Sequence, residues 1–213
     1  MKYSIIAFSV LLSAIVISSC QMGHNNRKSN NKSPKKERVT APKFNADSAF
    51  KFVSDQVEFG PRVPGSESHD RCSTWLADKL ENYGGNVFVQ DFKTRTYDNV
   101  TRSGQNIIAS FNPEAHKRLL LMAHWDSRPF ADHDEKPENH NKPIDGANDG
   151  ASGVGVLLEM ARQFQQKSPN AGVDIVLFDL EDWGPPHEQQ ITYDEEYWGL
   201  GSQYWSQNPH EYG

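Results

Sequence analysis

The stretch "PIDGANDGASGVGVLLEMARQ", Pro143 to Gln163, opens as a loop of small and turn-forming residues and closes as an amphipathic helix. Val154, Leu157, Leu158 and Ala161 recur at helical spacing on one face. Asp149 stands at the joint. An aspartate in that position is, taken alone, an ordinary helix cap. What flanks it changes the reading. Before it lies "RLLLMAHWD", residues 118–126, and after it "VDIVLFDLED", residues 173–182. Both are continuous apolar runs that end in polar residues, the pattern of central strands buried on both faces. A strand, a helix and a strand of this length predict a parallel crossover. The fold class is therefore α/β, with a mixed, largely parallel central sheet flanked by helices.

In such sheets chemistry sits beyond the C-terminal ends of the strands. Three groups are expected at that edge: His124-Trp125-Asp126, then Asp149, then Asp179, Glu181 and Asp182. Small residues around Asp149 let the backbone turn sharply and bring its carboxylate to the other strand ends. Carboxylate oxygens with an imidazole nitrogen form a donor set suited to zinc. Asp126 lies two residues from His124, on the same strand face, and is placed to orient it.

The remaining elements alternate in kind. A first helix is expected near Ala46–Glu58 with Phe50, Val53 and Val57 inward. "FGPRVPGS" reads as a turn-rich connector. "SESHDRCSTWLADKLENYGG" predicts a helix packed through Cys72, Trp75, Leu76 and Leu80 and ended by Gly84-Gly85. "NVFVQDFKT" and "NIIASF" read as strands. The connection Ser127–Asn148, with Asp132, His133, Asp134, Glu135, Glu138 and His140, is expected to be a solvated loop over the pocket, with a second metal as the lesser reading. "YWGLGSQYWSQNPH" predicts a helix packed by Tyr197, Leu200 and Tyr204. Trp183, beside the acid pair, either walls a substrate pocket or packs in the core.

The N-terminus has another composition. Residues 1–19 pair a charged start with an apolar run, and "ISSC" ends at Cys20, the pattern of a lipoprotein signal peptide with Cys20 acylated. Residues 20–43 are polar and basic and read as a flexible tether. The predicted location is the bacterial cell envelope, lipid-anchored and facing the periplasm or the cell surface. Residues 44–213 form the catalytic-type domain. They hold 14 basic and 27 acidic residues. That balance does not suit nucleic acid and does suit a cationic partner such as a metal ion or a peptide amino terminus. With Cys20 acylated, Cys72 has no partner for a disulfide and is read as a small core residue.

"HWDSRP", "DGANDGASGVGVLLEMAR" and "IVLFDLEDWG" together resemble the zinc aminopeptidase-like family, and within it the bacterial lipoprotein-type glutaminyl cyclases. The resemblance runs from about Phe44 to the last residue. It implies that Asp149 and Asp182 bind zinc, that Glu181 is the general acid/base, and that one zinc ion serves conversion of N-terminal glutamine to pyroglutamate with loss of ammonia. His124 and Asp126 then support the site, with direct metal binding as the lesser reading. The related aminopeptidases hold two zincs, with Asp149 bridging and His124 on the second ion, so a zinc aminopeptidase is the alternative. The wording of "EFGPRVPGS", "HWDSRPFADHD" and "FDLEDWG" is closer to the cyclases. The family's pattern also continues past "SQNPHEYG". The resemblance thus implies a C-terminally truncated chain whose third zinc ligand lies elsewhere, with weak zinc binding, little activity and a tendency to aggregate. His210 is not expected to substitute, because "NPH" resembles the connector after the last helix.

Overall fold

The computed structural model describes residues 40–189 and 194–212. The signal peptide, Cys20 and nearly all of the tether lie outside the described residues. Residues 42–213 form one compact unit.

Helix α1, Ala46–Val57, begins at Asn45, whose side chain accepts the Ser48 N–H at 3.1 Å. Its inward face is Ala49, Phe52 and Gln56, while Phe50 is 73% exposed. Of the expected face, Phe50 therefore points outward, while Val53 turns toward the helix layer. The reason lies on helix α3, Ala151–Gln166. Gly155 has no side chain, and a Cβ there would meet the Ala49 carbonyl at 2.8 Å and Val53 Cγ2 at 2.9 Å. This close approach selects the Ala49–Val53 side of α1. Helix α2, Glu67–Asn82, starts at Ser66, which accepts the His69 N–H, and buries Cys72, Leu76 and Leu80 as expected. Burial pushes the Cys72 thiol up to about 12, which fits an inert packing residue.

The strands are β1, Asn86–Arg95; β2, Thr101–Phe111; β3, Arg118–His124; and β4, Gly172–Phe178. They form one sheet in the order β1-β2-β4-β3. The crossover β3-α3-β4 is present and its strands pair in parallel. The sheet is mixed as expected, but β1–β2 and β2–β4 are antiparallel, so the described strands are not largely parallel. A short turn joins β1 to β2, closed by the Thr96 N–H on the Val100 carbonyl, and so short a link can only reverse the chain.

Strand β4 is buried along its whole length. Strand β3 is not, contrary to expectation: Leu119, Leu120 and Met122 are exposed. Among the described residues β3 pairs only with β4, so its apolar run belongs to a sheet edge. The main core lies between the sheet and the α1–α3 layer, around Leu76, Ile107, Trp125, Val154, Leu158, Ile175 and Leu177. Helix α4, Leu200–Gln207, is shorter than expected, because Gly199 sits in the left-handed region and separates it from a 3-10 turn at Asp194–Tyr197. Leu200 is buried, and Tyr204 stacks on Phe92 with centroids 5.0 Å apart.

Candidate functional site

Parallel pairing brings the ends of β3 and β4 level, with His124 opposite Phe178. The pairing runs one step further through the Trp125 N–H on the Phe178 carbonyl at 3.0 Å. Beyond it the chain leaves β3 at Asp126 and leaves β4 through Leu180, whose φ of 51° turns the backbone. Asp126 is fully buried. Its two oxygens accept the N–H groups of Glu181 and Asp182, each at 3.2 Å. Sequence reasoning gave Asp126 the role of orienting His124. The structure adds its grip on the backbone of the acid pair, while its Oδ1 stands 3.4 Å from His124 Nδ1.

Asp149 comes to the same place. Its Oδ1 is 2.7 Å from His124 Nε2. The Asp149–Gly150 peptide bond is cis. A Cβ on Gly150 would overlap both the carbonyl oxygen and the ring of His124, so only glycine lets the turn pass this close to β3. Glu181 Oε2 lies 3.9 Å from His124 Nδ1. The structure thus gathers His124, Asp126, Asp149, Glu181 and Asp182 at one sheet edge. Asp179 goes elsewhere. It is buried, held by His69 Nε2 at 2.9 Å and by the Gln105 N–H at 2.8 Å.

Four carboxylates around one imidazole leave a net negative charge with little to balance it. Burial, then Asp126, Asp149 and Glu181, push Asp182 up to about 7. Burial also raises Glu181, against the pull of His124. The His124 pKa is raised as well, which for an imidazole favours the charged form. Burial disfavours its charged form, but Asp126, Glu181 and Asp149 outweigh that and raise it to about 9.

Zinc fits the donor chemistry of this edge in part. Asp182 Oδ2 is buried without a hydrogen-bond partner, a costly state that a cation would relieve. Asp149 presents a second, more exposed carboxylate. Asp126 is spent on backbone N–H groups and His124 Nε2 on Asp149, and among the described residues no three His, Cys, Asp or Glu side chains converge as a metal cage. Asp149 and Asp182 are therefore the two candidates here.

Other expectations divide. Trp183 is 7% exposed and packs with Phe92, Leu180 and Leu200, with the Arg102 guanidinium 4.0 Å over its ring. His210 lies at the opposite end of β4, where its Nδ1 accepts the Trp205 N–H and its Nε2 is 3.6 Å from Asp174. The Ser127–Asn148 connection is not a solvated loop at its start. Arg128 and Asp132 are both buried and paired fork to carboxylate at 2.5 and 2.8 Å, and Arg128 also donates to the carbonyls of Asp182, Gly184 and Pro185. His133, from the same loop, tilts against His187 with centroids 4.9 Å apart. A cleft of about 530 Å3 lies over β1 and β2 beside His69, Lys93, Gln105 and Tyr204, away from the carboxylates. Carboxylate geometry, not cavity size, marks the site.

Residues 106–212 match peptidase family M28, and the chain belongs to that family. Its fold is the mixed α/β arrangement of the zinc aminopeptidase-like glutaminyl cyclases. It is similar to a glutaminyl cyclase of Bacteroides thetaiotaomicron, solved bound to N-acetylhistamine, at 49% identity and a TM-score of 0.79 over 82% of this chain and 60% of that one. It is similar to a Zn-dependent exopeptidase of Parabacteroides distasonis at 50% identity and a TM-score of 0.77, over 80% of this chain and 58% of that one. The glutaminyl-peptide cyclotransferase of Drosophila melanogaster is 28% identical over 59% of this chain and 35% of its own length. The chain thus spans 60% or less of the length of each of these relatives.

Proposed function

We propose that the chain belongs to a zinc-dependent glutaminyl-peptide cyclotransferase, an acyltransferase that converts the N-terminal glutamine of peptides and proteins to pyroglutamate and releases ammonia. The observation that carries this is the cluster of Asp149, Glu181 and Asp182 at one sheet edge, with Asp182 Oδ2 buried and unpartnered. The similarity to a glutaminyl cyclase at 49% identity supports the same reading.

Asp149 and Asp182 would hold one zinc ion. Zinc, when bound, supplies Lewis-acid polarisation of the glutamine γ-carbonyl. The substrate's own α-amine is the nucleophile: its nitrogen bonds to the γ-carboxamide carbon, and the bond from that carbon to the departing nitrogen breaks. Glu181 takes a proton from the amine and returns one to the leaving ammonia. Its side chain is 40% exposed and its pKa is raised, so it is open to substrate and closer to the neutral range than an ordinary glutamate. Asp126 fixes the backbone from which both acids project. His124, between Asp126 and Asp149, keeps Asp149 turned toward the cluster.

The test is a peptide with N-terminal glutamine, incubated with purified protein and zinc. Ammonia release with the chain length unchanged supports the cyclotransferase. Release of a free amino acid supports the alternative, a zinc aminopeptidase, which the exopeptidase relative favours. The N-terminal pattern supports anchoring of Cys20 in the cell envelope, with residues 1–19 removed and 20–43 as spacer. Two or more acyl chains would hold it stably. Cys20→Ser should release the protein from the membrane fraction, and a variant that stays there rules the anchor out.

A further inference from the structure

Arg62 sits in "GPRVPGS", a segment the sequence marks only as a turn, and it is fully buried. All three of its nitrogens donate to main-chain carbonyls. Nε reaches Trp125 at 3.1 Å, Nη1 reaches Asp145 at 2.8 Å and Nη2 reaches Gly146 at 2.9 Å. The Arg62 carbonyl in turn accepts the Ser127 N–H at 3.1 Å. These partners come from two separate segments. Trp125 stands between His124 and Asp126; Asp145 and Gly146 open the turn that delivers Asp149. One planar guanidinium therefore ties the end of β3 to the turn before α3.

The turn is built closely around it. Gly146 has a φ of +58°, and a Cβ there would come within 2.7 Å of Arg62 Nη2, 2.8 Å of Ser127 Cβ and 2.5 Å of the Asp149 carbonyl. The Gly146 carbonyl also accepts the Ala151 N–H, the first turn of α3. Burying a cation whose hydrogen bonds all go to carbonyls is expensive even with Asp126 and Asp145 near enough to act on it, and a core that needed only packing would be served better by an apolar side chain. A lysine cannot replace it, because a single ammonium does not span three acceptors in one plane.

We infer that Arg62 is a positioning residue for the carboxylate edge: it sets the distance between His124 and Asp149 by holding the backbone of Trp125, next to His124, and of Asp145 and Gly146, in the turn that leads to Asp149. What is being positioned, a zinc site, rests on the proposed function. The juxtaposition itself does not.

The experiment uses Arg62→Lys and Arg62→Met with two readouts. The ring 15N chemical shifts of His124 in metal-free protein report its contact with Asp149. Zinc affinity, by competition with a chromophoric chelator, reports the site. His210, at the far end of β4, is the internal control. The expected result is a His124 Nε2 signal that moves toward free imidazole, an unchanged His210 signal, and a loss of about 10–100-fold in zinc affinity, the scale for groups that orient ligands. A folded variant with an unmoved His124 signal overturns the inference. So does loss of both histidine signals in both variants, which would make Arg62 a residue of the fold alone. Absence of ammonia release by the full-length wild-type enzyme would sink the proposed function while leaving the His124 shift to decide Arg62.

Discussion

At the start of β4, Asp174 meets Arg118 in a two-pronged pair at 2.6 and 2.7 Å, accepts the Ser110 hydroxyl at 2.6 Å and has His210 beside it. Burial alone would raise its carboxyl, but Arg118 and Ser110 hold it below the usual aspartate range. At the other end of the same strand, Asp182 is buried among Asp126, Asp149 and Glu181. Arg128 Nη1 is no nearer than 4.0 Å to its carboxylate, and its pKa rises to about 7. The first carboxylate has every partner it needs and contributes to the fold. The second is left wanting one, which is the mark of a site that binds or reacts. Arg128 sharpens the contrast. It is close enough to Asp182 to pair with it, yet its fork is spent on Asp132, and it reaches the Asp182 carbonyl instead.

The largest effect should come from Glu181→Gln in the full-length enzyme. If Glu181 moves the proton, turnover of a glutamine-initiated peptide should fall about 10²–10⁴-fold with zinc binding and melting temperature nearly unchanged. A fall of less than tenfold would remove Glu181 from the chemistry and blur the difference between the two ends of the strand.

Asp174→Ala is the reverse case. It should cost about 3 kcal/mol of stability, since it strands Arg118 and Ser110, and leave turnover of the folded protein unchanged. The pH sign follows from the lowered pKa. The stabilisation by Asp174 is fully present above the unfolded value of 3.8 and is lost as the pH falls below it. Urea unfolding at pH 7 and pH 3 measures both, and the Asp174→Ala penalty should shrink at the lower pH. An equal penalty at both would mean that the ion pair is not what stabilises this end.

Much of this was legible in the sequence where the signal is local. Two apolar runs around an amphipathic helix define the crossover, and the residues at the strand ends fall where that topology puts them: His124, Asp149, Glu181 and Asp182 do meet. Periodicity failed where packing chose between similar faces. Phe50 and Phe52 lie on different sides of α1, and the bare surface of Gly155 decides which turns inward. The apolar run also put β3 in the interior, whereas Leu119, Leu120 and Met122 are exposed where, among the described residues, β4 alone pairs with β3. The least legible residues were the buried cations. Nothing local to Arg62 announces that its partners are carbonyls tens of residues away, and the Arg128–Asp132 spacing does not reveal that Arg128 also reaches the carbonyls of Asp182, Gly184 and Pro185; long-range hydrogen bonds of that kind leave no period to read.

If the Asp182 carboxylate beyond β4 is there to hold a metal, its loss must weaken zinc binding. Calorimetric titration of zinc into the wild type and Asp182→Asn tests it most directly. The expected result is one zinc per wild-type chain and at least tenfold weaker binding by the variant, whose metal-free form should unfold no sooner than the wild type because a buried, repelled charge has been removed. Equal zinc affinity in the two proteins would contradict it.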